Sequence, residues 1–156
     1  MFRILALLAV FGSPAHALSC MAPDPATAFG VVAAAPDPYW IVVGKFTGGP
    51  KKAIKPDPNQ DDVKRTFNAR FTGHNVNRHG LANPIDMTVV VEENCFSAWC
   101  SSYHKNVDVL TFLRLDPSGP PVLELDLCGS NVFVNPTAAQ MQAIQNCFVT
   151  GCALPN

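Results

Sequence analysis

Cys20, Cys95, Cys100, Cys128, Cys147 and Cys152 all lie downstream of a segment with the three parts of a secretory leader. Met1-Phe2-Arg3 carries a positive charge, residues 4–11 are apolar, and Ala15-His16-Ala17 places small residues where a signal peptidase cuts. The apolar run is too short to cross a bilayer, which takes roughly 20 such residues. A buried helix is the competing reading, but the Gly12-Ser13-Pro14 break has no packing reason to be there. Residues 1–17 are therefore predicted to be a cleaved signal peptide, with 18–156 forming one domain that is periplasmic or secreted and has no membrane span. Ala17-Leu18-Ser19-Cys20 also invites comparison with a lipoprotein cleavage box. The large and small residues that precede such a cysteine are reversed here. Acylating Cys20 would also strand one of the remaining five cysteines in an oxidising compartment.

An exported chain with an even number of cysteines reads as a disulfide framework. The residues alone do not choose among the pairings that six cysteines allow. Spacing biases the choice, because Cys95 and Cys100, and likewise Cys147 and Cys152, can each close a small loop. That leaves Cys20 for Cys128. The alternative use is zinc, since Cys95, Cys100 and His104 have suitable residue types and His74 and His79 lie upstream. Their spacing fits no standard zinc pattern, so no metal and no other cofactor is expected.

The formal charge is −1, yet it is unevenly spread. Between Lys45 and His79, eight basic residues face three acidic ones, and from Gly80 onward seven acidic residues face two basic ones. Lys51, Lys52 and Lys55 stand together in a Gly- and Pro-rich stretch, residues 48–62, that reads as a long exposed loop. They are candidate binding residues for an anionic partner, although loop lysines are more often simply solvated.

The periodicity predicts a short helix capped by Asp24 and started by Pro25, ended by Pro36-Asp37-Pro38. Strands follow at 39–47, 64–72, 85–92, 107–115 and 122–127. In the second, Phe67, Ala69 and Phe71 share one face. In the last, Val122, Glu124 and Asp126 form a wet face opposite Leu123, Leu125 and Leu127. Residues 73–84 read as a polar, turn-rich loop. A closing helix is predicted to start at an Asn135 cap with Pro136 first, burying Met141, Ile144 and Phe148. Trp99 and Tyr103 read as exposed aromatics. The fold class is thus mainly β: a disulfide-braced, five-stranded OB-like barrel with a short N-terminal helix and a C-terminal helix.

Cys20-Met21-Ala22-Pro23, then Ala28-Phe29, then Ile41-Val42-Val43-Gly44-Lys45 resembles the opening of the netrin-like domain, best known from tissue inhibitors of metalloproteinases. Leu125-Asp126-Leu127-Cys128, an Asn-Pro helix and a closing cysteine extend the likeness over most of the chain beyond the leader. The resemblance implies an OB-type barrel and a bridge from Cys20 to Cys128. It also implies a zinc-chelating inhibitor, whose free amine would be that of Cys20. Two departures speak against chelation. Leu18 and Ser19 should precede Cys20, and Gly30-Val31 follow Phe29 where the family has a cysteine.

No Gly-x-Ser-x-Gly elbow, H-E-x-x-H or phosphate loop occurs. Cys128-Gly129-Ser130 invites a nucleophile, but its cysteine is better used in a bridge. Glu92 and Glu93 are adjacent, so on a strand they point to opposite faces. No catalytic residue is assigned and no enzyme is expected. Three functions remain. The first is a binding module that engages an envelope or extracellular protein through loops 48–62 and 73–84. The second is an inhibitor of an exported metalloprotease acting through the Cys20 end. The third is an OB-type binder of an anionic polymer. Phe46, Phe67 and Phe71 are required by the core, which argues against specific nucleic-acid stacking.

Overall fold

A computed structural model describes Cys20 and residues 22–152. The predicted signal peptide and its cleavage site lie outside the described residues. Helix α1 (Pro25–Ala34) begins where the sequence places it, because the Asp24 carboxylate accepts the Thr27 amide at 2.7 Å and Pro25 needs no donor partner. Strands β1 (Tyr39–Gly48), β2 (Asp62–Asn77) and β3 (Gly80–Phe96) follow as an antiparallel meander. A two-residue strand β4 (Trp99–Cys100) folds back on β3. Then come β5 (Asp108–Arg114), β6 (Val122–Glu124), β7 (Val132–Val134) and helix α2 (Ala138–Thr150).

The strands close on themselves. β1 pairs with β2 and with β5, β2 with β3, β3 in parallel with β6, and β6 with β5, forming a ring of five. β7 takes the rest of the β5 edge, pairing Val109, Leu110 and Thr111 with Val134, Phe133 and Val132. Inside the ring lie Val42, Phe46, Ala69, Phe71, Val89, Val91, Val109, Leu113 and Leu123. A second core under the helices joins Ala28, Ile41, Leu110, Phe112, Phe133 and Ile144. β5 serves both cores, which is why Val109 to Leu113 is buried without a break.

Where β1 crosses β2, Gly44 faces Gly73. A Cβ on either glycine would sit 2.6 Å from the other's Cα, so two strands this close exclude any side chain.

Several sequence expectations are corrected. Residues 73–84 are not a loop. β2 runs on to Asn77 and β3 starts at Gly80, with a bulge between His74 and Val76. Their polar residues mislead because these arms rise beyond the inner core and are mostly solvated. The last ring strand is only three residues long, and Val122 and Leu123 are both buried, since Val122 faces β3 and β5 together. Asn135 does not cap α2. It adopts φ 50°, and Thr137 is the cap, with a reciprocal box to Gln140. Asn135 is a good cap type, but Thr137 has a partner three residues on that can answer it. Ile144 is buried as expected, whereas Phe148 lies half exposed with its ring edge on Phe29.

Candidate functional site

Three disulfides join Cys20 to Cys128, Cys95 to Cys100 and Cys147 to Cys152. Joined in a bridge, Cys95 and Cys100 offer no thiolate to a metal. The first two bridges lie at the same end of the ring. Cys20–Cys128 ties the start of the described chain to the turn after β6. Cys95–Cys100 clamps the hairpin of β3 and β4, with Cα atoms 3.9 Å apart.

The turn after β6 is built around Asp126. Its Oδ1 accepts the amides of Cys128 at 2.8 Å and Ser130 at 3.1 Å, and its Oδ2 accepts the Ser130 hydroxyl and the Asn131 amide. An aspartate that binds its own backbone two residues on is a standard turn former, and Gly129 supplies the φ of 65° the turn needs. Ser130 is consumed here, so the Cys128-Gly129-Ser130 triplet holds a turn and offers no nucleophile. Asn94 links turn to hairpin, donating from Nδ2 to Leu125 O at 3.3 Å while its amide donates to Ser101 Oγ. The Ser97 amide donates to Asp61 O at 2.8 Å, tying the hairpin tip to the end of the long loop.

On this braced frame Phe96 is 51% exposed and Trp99 47% exposed. A cleft of about 610 Å³ lies between Phe96 and Cys128, lined also by Asn94, Leu125 and Asp126. Two large apolar side chains held outward by a covalently closed hairpin cannot retract into a core.

The loop between β1 and β2 is real, and Lys51, Lys52 and Lys55 are all exposed on it. It is less free than its composition suggests. Arg65 Nη1 donates to Lys52 O at 3.0 Å and Lys105 Nζ to Pro50 O at 3.2 Å. Gly49 has φ 76° and lies against Phe67 and Tyr103, where a Cβ would meet their rings at 2.7 and 3.0 Å. Lys51 and Lys52 border a small cavity with Arg65, Glu93, Ser101, Tyr103 and Lys105, whereas Lys55 lies outside its lining. Tyr103, expected to be exposed, is half buried edge-on to Phe46 and Phe67. Glu93 is 2% exposed, opposite Arg65 in the β2–β3 register, and Arg65 donates to Glu93 Oε2 from both Nε and Nη2.

Sequence reasoning gave no role to Phe96, Arg65 or the Asp126 turn. For Asp126 a signal existed, because Asp-x-Cys-Gly-Ser is an Asx-turn pattern. For Phe96 and Arg65 there was none, as their environment is set by strands distant in the chain. His74 and His79 sit on the β2–β3 hairpin, with Arg78 Nε donating to His79 Nε2 at 3.0 Å. Cys20 is exposed. The Leu18 and Ser19 that bear on chelation lie outside the described residues.

Compared with family models, curated proteins and solved structures, the chain matches none of them.

Proposed function

We propose that this chain is an exported binding module on a netrin-like, OB-type barrel, cleaved near Ala17, that engages another envelope or extracellular protein. The observation that carries this reading is the exposed Phe96–Trp99 pair on the Cys95–Cys100 hairpin, beside the Cys20–Cys128 bridge. Aromatic anchors on pre-organised backbone are what protein interfaces use, because little conformational entropy is lost when they are covered. Export is supported by three disulfides. Among the described residues no helix is long and apolar enough to cross a membrane. The OB reading is supported by the closed five-strand ring and by the bridge from Cys20 to the turn that follows its last strand.

The docking face thus moves from the two predicted loops to the braced end of the ring. A photo-crosslinker at position 99, expressed in cells that export the chain, should give a discrete protein adduct. The same probe at Trp40 should not, and Phe96→Ser should suppress the adduct. Identical adducts from both positions, or none from position 99, refute the reading.

The exposure of Cys20 on the same face supports a second reading, inhibition of an exported metalloprotease. It requires the α-amine of Cys20 to be free. Mass spectrometry of the exported protein decides the point, with a start at Leu18 expected and a start at Cys20 needed for chelation.

A further inference from the structure

Beneath the 49–61 loop lies a cavity of about 170 Å³. Four cations line it. Lys51 and Lys52 come from the loop, Arg65 from β2 and Lys105 from the segment before β5. Glu93 is the single lining carboxylate, and Arg65 engages it through two nitrogens. Among the described residues, no carboxylate lies within ion-pair distance of Lys51, Lys52 or Lys105. The local balance is therefore strongly positive.

Two hydroxyls in the lining have protons with nowhere to go. Tyr103 Oη is buried and has no hydrogen-bond partner. Ser101, 5% exposed, accepts the Asn94 amide, but its own proton meets no acceptor among the described residues. A buried polar group without a partner costs roughly 1–3 kcal/mol, so a fold that keeps one calls for an explanation. Burial, and then the Glu93 charge, push the Tyr103 phenol up to about 12, so it remains a donor at any physiological pH. Its ring is fixed by Phe46 and Phe67, which prevents it from swinging to water.

Donors without acceptors, surrounded in a small cavity by ammonium groups that no carboxylate neutralises, describe a receptor for an anion with several oxygens. We propose that this cavity binds one phosphate or sulfate group. The group accepts from Tyr103 Oη and Ser101 Oγ, and Lys51, Lys52 and Lys105 balance its charge. The site is independent of the Phe96–Trp99 face, so either can fail without the other.

The test uses the oxidised full-length protein with no partner present. Thermal unfolding and titration calorimetry are run in sodium phosphate, in sodium sulfate, and in sodium chloride of equal ionic strength. At about twenty times the dissociation constant, either oxyanion should raise the Tm by roughly 5 °C over chloride. Tyr103→Phe keeps the ring packing and removes only the donor. It should fold at least as stably in chloride and bind phosphate about tenfold more weakly. Lys51→Gln with Lys52→Gln should weaken binding at least as much, and Lys55→Gln should not. An equal Tm rise in wild type and Tyr103→Phe would be the general stabilisation by kosmotropic salts and overturns the proposal. So does the absence of any rise in wild type, which leaves the cavity to water. Glycerol 3-phosphate separates the sources. Binding equal to that of phosphate means an esterified group on a larger molecule fits, and binding by the inorganic ions alone assigns the site to the free ion.

Discussion

Replacing Arg65 with Met isolates the cost of a buried charge. Arg65 and Glu93 face each other across β2 and β3, and the guanidinium lies 5.7 Å above the Phe67 ring. A methionine side chain can still cover that ring, so packing is largely kept while the charge is lost. Glu93 is then a carboxylate at 2% exposure with no cation on it. Breaking a buried pair from one side costs about 3–5 kcal/mol, because desolvation of the survivor is no longer offset. For a domain of this size that lowers the Tm by on the order of 10–20 °C. The reverse change is milder. Arg65 is 28% exposed, so in Glu93→Gln water can solvate the cation, and a loss of about 1–2 kcal/mol is expected. Arg65→Met with Glu93→Leu removes both charges and should recover most of the stability. Urea unfolding of the four oxidised proteins measures each loss against the wild type. A loss below about 1 kcal/mol in Arg65→Met, or a double variant as unstable as that single one, would refute a stranded charge as the cause.

Removing Cys20–Cys128, which spans 108 residues, should cost about 5 kcal/mol by loop entropy, against about 2 for Cys147–Cys152 with a separation of 5; equal losses in urea would contradict the chain-entropy account. The Thr27 amide holds the Asp24 carboxyl below its ordinary value of 3.8. A lowered folded pKa contributes stability that is complete above the unfolded value and lost as pH falls through the folded one. Asp24→Ala should therefore lose about 1 kcal/mol at neutral pH and progressively less below about pH 4, as read by unfolding across pH. Gly44→Ala and Gly73→Ala each thrust a methyl into the opposing backbone, so each should lose about 3 kcal/mol or fail to fold, while Gly119→Ala, with its nearest neighbour at 3.5 Å, should be neutral by thermal unfolding.

Local patterns in the residues determined the elements they could specify by themselves. Asp24-Pro25 starts α1 because a carboxylate and an absent N–H solve the helix-start problem within four residues. Phe67, Ala69 and Phe71 alternate, and that alternation placed one face of β2 inward. Such signals fail where two elements compete for the same residues. Asn135 and Thr137 are both good cap types, and Gln140 decides between them. The 73–84 stretch is mostly polar because its arms extend past the inner core, so apart from the buried Val76 its strand character comes from pairing and not from burial. Only the closed ring brings Arg65 to Glu93, encloses Tyr103 under the 49–61 loop and leaves Phe96 outside. These relations join residues 28 positions apart for Arg65 and Glu93, and 108 apart for Cys20 and Cys128. A side chain's exposure is set by what the rest of the chain stacks upon it, and no window of neighbouring residues carries that information.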